Sequence, residues 1–101
     1  MTRVVKSEDY RAWIDGLRDL AGRARILVRV DRLIHGNPSD HRNLTEGVAE
    51  LRIDVGPGYR VYDALRGEEL LLLLGGGSKA TQTKDIARAL DLNRNFEDHA
   101  P

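Results

Sequence analysis

Two arginines, a carboxylate and a tyrosine stand close together in the middle of the sequence. Glu50 and Arg52 lie in Val48-Ala49-Glu50-Leu51-Arg52-Ile53, and Arg60 and Tyr62 follow in Gly58-Tyr59-Arg60-Val61-Tyr62. Both stretches alternate apolar and polar residues, the period of a strand, so Glu50 and Arg52 share one face about 6–7 Å apart. Arg60 and Tyr62 share a face in the same way. Gly56-Pro57-Gly58 between them has turn chemistry and would lay the two strands side by side. With Lys79 just beyond a third strand, this patch suits a phosphodiester. An arginine fork grips two phosphate oxygens at once, and a tyrosine stacks on a base or donates a hydrogen bond. The spacing fits a plainer reading equally: a solvated cross-strand ion pair of Glu50 with Arg52 and Arg60, worth less than about 1 kcal/mol.

Other chemistry-bearing residues carry less. Gly75-Gly76-Gly77-Ser78-Lys79 has serine before the lysine and alanine after it, where a Walker loop needs glycine before and serine or threonine after. The dinucleotide glycine spacing is absent as well. These glycines are expected to let the chain leave a buried strand at a sharp angle. His35, His41 and His99 show no metal-ligand spacing, and are expected on a helix end, a loop and the tail as solvated side chains. No metal or cofactor is expected. Asn43-Leu44-Thr45 matches a glycosylation acceptor only if the chain is secreted.

The elements that must position these residues can be read from spacing. Ser7 caps a first helix whose apolar face holds Tyr10, Trp13, Ile14, Leu17, Leu20 and Ala21, with a break near Gly22. A second helix follows over 23–34, burying Ile26, Leu27, Val30, Leu33 and Ile34 and presenting Arg25, Arg29 and Arg32 outward; Gly36 stops it. Strands are predicted over 48–55, 59–65 and 69–74, the last with five consecutive leucines, which suggest burial on both faces. Short connections require antiparallel pairing. Leu44 and Arg3 to Lys6 mark further candidate edge strands. A last helix capped at Ser78 or Thr81 buries Ile86, Ala89 and Leu90, and Asn93 to Pro101 reads as a frayed tail. The expected architecture is α+β: an N-terminal helical hairpin packed on one face of a small twisted antiparallel sheet, with a C-terminal helix.

Composition limits the rest. The 101 residues allow one domain over 1–101, and 41% hydrophobic with 32% charged residues is a globular balance. The sequence contains no cysteine, which removes disulfides, thiolate zinc and a thiol nucleophile and fits a reducing cytosol. Leu70 to Leu74 is too short to span a bilayer, and the first residues lack the apolar stretch of a signal peptide; a cytoplasmic domain without membrane contact is expected. The 16 basic and 16 acidic residues balance overall, yet residues 1–36 carry eight and five. A dedicated nucleic-acid binder is usually plainly basic, so any such role must rest on local placement of arginine and lysine.

These residues also resemble a known family. The resemblance is carried by Trp13 with Leu17-Arg18-Asp19, Ala24-Arg25-Ile26, Arg32-Leu33 and Gly36-Asn37. It continues through Gly47-Val48-Ala49-Glu50-Leu51-Arg52-Ile53, Gly56-Pro57-Gly58-Tyr59-Arg60-Val61-Tyr62 and Leu73-Leu74-Gly75-Gly76, and ends in Lys79, Gln82, Asp85-Ile86 and Ala89. Together they resemble the addiction-module killer proteins, a HigB-like branch of the RelE/ParE toxin superfamily. The resemblance implies a type II toxin, either a ribosome-dependent mRNA endoribonuclease or, as in ParE-like members, a gyrase poison without nuclease chemistry; a remnant that binds antitoxin without toxicity is a third outcome. It implies a helix-turn-helix antitoxin as partner, with oligomers formed through that complex, and the ribosome and mRNA as targets. It also implies Arg60 on the scissile phosphate, Arg52 and Lys79 on the flanking backbone, Glu50 as base and Tyr62 stacking or hydrogen-bonding. Arg25 and Arg29 would dock RNA, or form an ordinary solvated helix face.

Overall fold

Val4 and Val5 decide how the fold begins. They point to opposite faces of β1 (Arg3–Lys6), one packed against each of two apolar clusters, so this short segment is held as a half-buried strand. The computed structural model describes residues 2–97. After β1 come α1 (Glu8–Gly16), α2 (Leu20–Ile34), β2 (His41–Thr45), β3 (Val48–Ile53), β4 (Tyr59–Arg66) and β5 (Leu70–Ser78). A 3-10 turn (Lys79–Thr81) then leads into α3 (Gln82–Asn95). The five strands form one sheet in the order β1-β5-β4-β3-β2, with β1 parallel to β5 and every other pair antiparallel.

This corrects the expected fold in three respects. The chain opens on a strand rather than on a helical hairpin, and the sheet is mixed rather than antiparallel. The helices are not all on one face: α1 and α2 cover one side, over Leu51, Ile53, Tyr59, Val61, Leu71 and Leu73. Meanwhile α3 covers the other, over Val48, Tyr62, Ala64, Leu70, Leu72 and Leu74. Helices α1 and α2 share one apolar cluster, α1 packing on β5 and α2 on β3. Apolar spacing reports that a helix has a buried side, but not which sheet face buries it.

The break between α1 and α2 falls at 17–19 rather than at Gly22. Asp19 caps α2 by accepting the Gly22 N–H at 2.9 Å, and its other oxygen accepts the Tyr59 hydroxyl at 2.7 Å. Gly22 sits inside the helix because a Cβ there would lie 2.7 Å from the Tyr59 ring. Three expected core residues lie outside the core: Leu20, Ala21 and Leu27 are exposed on α2.

The glycines do not end the sheet. Gly75, Gly76 and Gly77 continue β5 and pair with Tyr62, Val61 and Arg60. A bulge at Leu74 shifts the alternation, so that Gly76 faces α1 and Gly77 faces α3. A Cβ on Gly76 would lie 2.2 Å from the Trp13 ring, and one on Gly77 would lie 1.8 Å from Asp85 Oδ2. Their function is close approach, not a sharp exit. The tail is also shorter than expected. Helix α3 runs to Asn95 because the buried Asn93 donates to Glu46 O at 3.1 Å and accepts from Arg66 at 3.1 Å. His99 lies outside the described residues.

Candidate functional site

Strands β3 and β4 pair with Glu50 opposite Tyr62 and Arg52 opposite Arg60. On the other side of β4, Tyr62 faces Gly75 and Arg60 faces Gly77. Cross-strand neighbours share a face, so Glu50, Arg52, Arg60 and Tyr62 gather on the α3 side of the sheet. Lys79 joins their rim, because it starts the 3-10 turn directly after β5 and its N–H donates to Gly58 O at 2.8 Å. Gly77 lets the first turn of α3 settle onto this patch, where Thr81 donates to the Asp85 carboxylate.

The patch is a floor rather than an open face. Glu50 and Tyr62 are fully buried and Arg60 is 2% exposed, while Arg52 is half-buried and Lys79 exposed. This overturns the expected solvated position of Arg60 and removes a stacking role for Tyr62, whose ring has no open face. It also dissolves the expected Glu50–Arg52–Arg60 ion pair. Glu50 Oε2 accepts from Gln82 Nε2 at 2.7 Å, and Oε1 stands 3.7 Å from Arg42 Nε without a hydrogen bond. Arg60 donates through Nη1 to its neighbour Tyr59 O at 3.0 Å and to Asp54 Oδ1 at 3.3 Å. Arg52 and Arg60 each keep a buried Nε without a partner, and the Tyr62 hydroxyl has none either. Burial raises the Tyr62 phenol far above its ordinary range, and the negative Glu50 and Asp85 add to it, so the phenol stays neutral.

Two opposed guanidiniums, largely out of water, share this face with the carboxylates of Glu50, Asp54 and Asp85, and with Lys79 at the rim they form a charged cradle. Arg25 and Arg29 take no part. They lie on α2, across the sheet, where Arg29 donates to Ser39 O. Gln82, Arg42 and Asp54 are the site residues missed from sequence. Asp54 was visible as the next residue on the Glu50–Arg52 alternation; the other two come from elements whose docking no local pattern encodes.

A second polar pair lies on the α2 side. His41 Nε2 stands 2.8 Å from Asp63 Oδ1, and Asp63 is 2% exposed. His41 is therefore a strand residue holding a buried carboxylate, not a solvated loop histidine. Burial raises the Asp63 carboxyl, against the lowering effect of His41, and the hydrogen bond that His41 donates to Asp63 raises the imidazole.

No family model matches the chain. An uncharacterized protein of Haemophilus influenzae is 44% identical over 80 residues, which cover 79% of this chain and 81% of the relative. The chain belongs to that protein's family. Eighty residues of 101 must include positions 22–80 wherever the match begins, so the family's shared span contains β2 to β5 and the cradle from Arg42 to Lys79. Among the described residues of this family member, no group of three or more His, Asp or Glu side chains could hold a metal, and no helix is long and apolar enough to cross a membrane.

Proposed function

We propose that the chain is the toxin of a type II toxin–antitoxin pair and inhibits translation by cutting mRNA on the ribosome. The observation that carries this reading is the direct opposition of Arg52 and Arg60, each with an unpartnered buried Nε, beside the exposed Lys79. A phosphodiester supplies acceptors for the two unpartnered Nε groups, and the HigB-like resemblance assigns Arg60 to the scissile phosphate. Arg52 and Lys79, nearer solvent, hold the flanking backbone.

In this mechanism the ribose 2′-oxygen attacks the adjacent phosphorus, the P–O5′ bond breaks, and a 2′,3′-cyclic phosphate remains. Glu50 is fully buried with Gln82 on its Oε2, so the 2′-hydroxyl proton passes to water rather than directly to this carboxylate. The departing 5′-oxygen takes a proton from water. Arg60 stabilises the charge that develops on the phosphorane, the larger contribution in a site of this kind. The ribosome holds the RNA in line, so that little has to be organised by this small chain. The resemblance supplies a helix-turn-helix antitoxin as partner.

Expression without antitoxin, with pulse labels for protein and DNA synthesis, tests the reading. Protein synthesis should stop first, with cut mRNA, and Arg60→Ala should abolish both effects while its melting transition is retained. DNA synthesis stopping first would indicate gyrase as the target, and undisturbed growth would indicate a non-toxic remnant; either overturns the ribonuclease.

A further inference from the structure

Four large apolar side chains are exposed among the described residues, and three of them, Leu20, Leu27 and Val28, fall on α2 at 71%, 43% and 54% exposure. Helical spacing places them with the exposed Ala24 on one stripe facing away from the sheet, opposite the buried Gly22, Ile26, Val30 and Leu33. Single exposed apolar residues are ordinary; a continuous stripe along a helix is the mark of an interaction surface. Arg25 and Arg32, both exposed and without an ion-pair partner among the described residues, form a rail along its edge. We infer that this outer stripe of α2 is a docking surface for an acidic amphipathic helix of another protein.

Charge selects that occupant. Helix α2 carries four arginines against one aspartate. A second copy meeting it across a two-fold axis would place the same cationic rail against itself. RNA matches the rail but gains nothing from leucine and valine at its centre. An amphipathic helix with leucine-type residues on one face and glutamates along one flank matches both features. Leu20 to Val28 spans about 12 Å at helical rise, so two to three turns of partner suffice. Asp31, on the stripe near its C-terminal end and 3.6 Å from His35 Nδ1, favours a cation at the corresponding end of the partner and so sets its direction. The surface lies across the sheet from the arginine cradle and does not depend on RNA cleavage.

The test uses the full chain and two labelled helix-forming peptides with identical leucine faces, one flanked by glutamate and one by lysine. The glutamate peptide should bind at least tenfold more tightly. Arg25→Glu with Arg32→Glu should reverse that preference without moving the melting curve, since both residues are exposed. Val28→Asp should weaken binding tenfold or more. Any of four results overturns the inference: no binding up to about 1 mM, equal affinity for both peptides, displacement of the peptide by single-stranded RNA, or self-association that Val28→Asp abolishes.

Discussion

Tyr62 and Arg60 occupy neighbouring positions on one strand face, yet their burial has opposite consequences. The Tyr62 hydroxyl is out of water with no well-formed hydrogen bond and stands beside the carboxylate of Glu50, with the charge of Asp85 also acting on it. A buried hydroxyl of this kind costs stability, and removing it while keeping the ring is neutral or favourable. Tyr62→Phe should therefore keep or raise stability by up to about 1 kcal/mol, measured as a denaturant midpoint at unchanged slope, and RNA cleavage should persist. Arg60 differs because a buried guanidinium needs an acceptor or an anion beside it. Its nearest carboxylate, Asp54, is exposed on the β3–β4 connection and can swing away. Asp54→Asn should leave the cradle more strongly anion-binding. In a phosphate or short-RNA titration, Kd should fall several-fold, and an unchanged Kd would show that Asp54 does not compete for Arg60.

Between elements, the decisive contacts are those that glycine permits. Trp13 on α1 lies over Gly76 and tilts against the Tyr10 and Tyr59 rings, with centroids 6.2 and 6.4 Å away. Gly76→Ala must push the indole off the sheet, at a cost of about 1–3 kcal/mol. Trp13→Ala should cost about 3 kcal/mol, the lower end of the range for a large aromatic, because the ring is only half-buried. The two changes share one contact, so the double variant should be less destabilised than their sum, and a double-mutant cycle of melting curves reads the difference. These contacts also explain what the sequence made legible. Alternation located β3 and β4 and paired Glu50 with Arg52 and Arg60 with Tyr62 on their strand faces, because strand period is a local property. It could not show that α3 would cover them, since docking depends on a bulge at Leu74 and on Gly77, and a glycine run reads from sequence as an exit. The same limit misplaced the helices: the heptad-like stripe on α2 is apolar on two sides, and only packing decides that Ile26 faces inward while Leu27 does not.

At the scale of the whole molecule, the edge strand β2 is fastened twice, once by its ladder to β3 and once by His41 reaching across to Asp63 on β4. The second fastening makes global stability depend on pH. Both groups bind protons more tightly in the folded protein than in the unfolded chain: the Asp63 hydrogen bond raises His41 above 6.5, and burial raises Asp63 above 3.8. Where the native state holds more protons than the unfolded state, stability falls as pH rises. The His41 contribution is therefore complete below about pH 6.5 and is lost as pH rises through its higher folded value, leaving a buried Asp63 carboxylate beside a neutral ring. The melting temperature of the wild type should decline between pH 6 and pH 9, and His41→Gln, which can still donate a hydrogen bond but cannot titrate, should remove most of that slope. A wild type whose melting temperature is flat over this interval would show that the pair keeps one protonation state throughout.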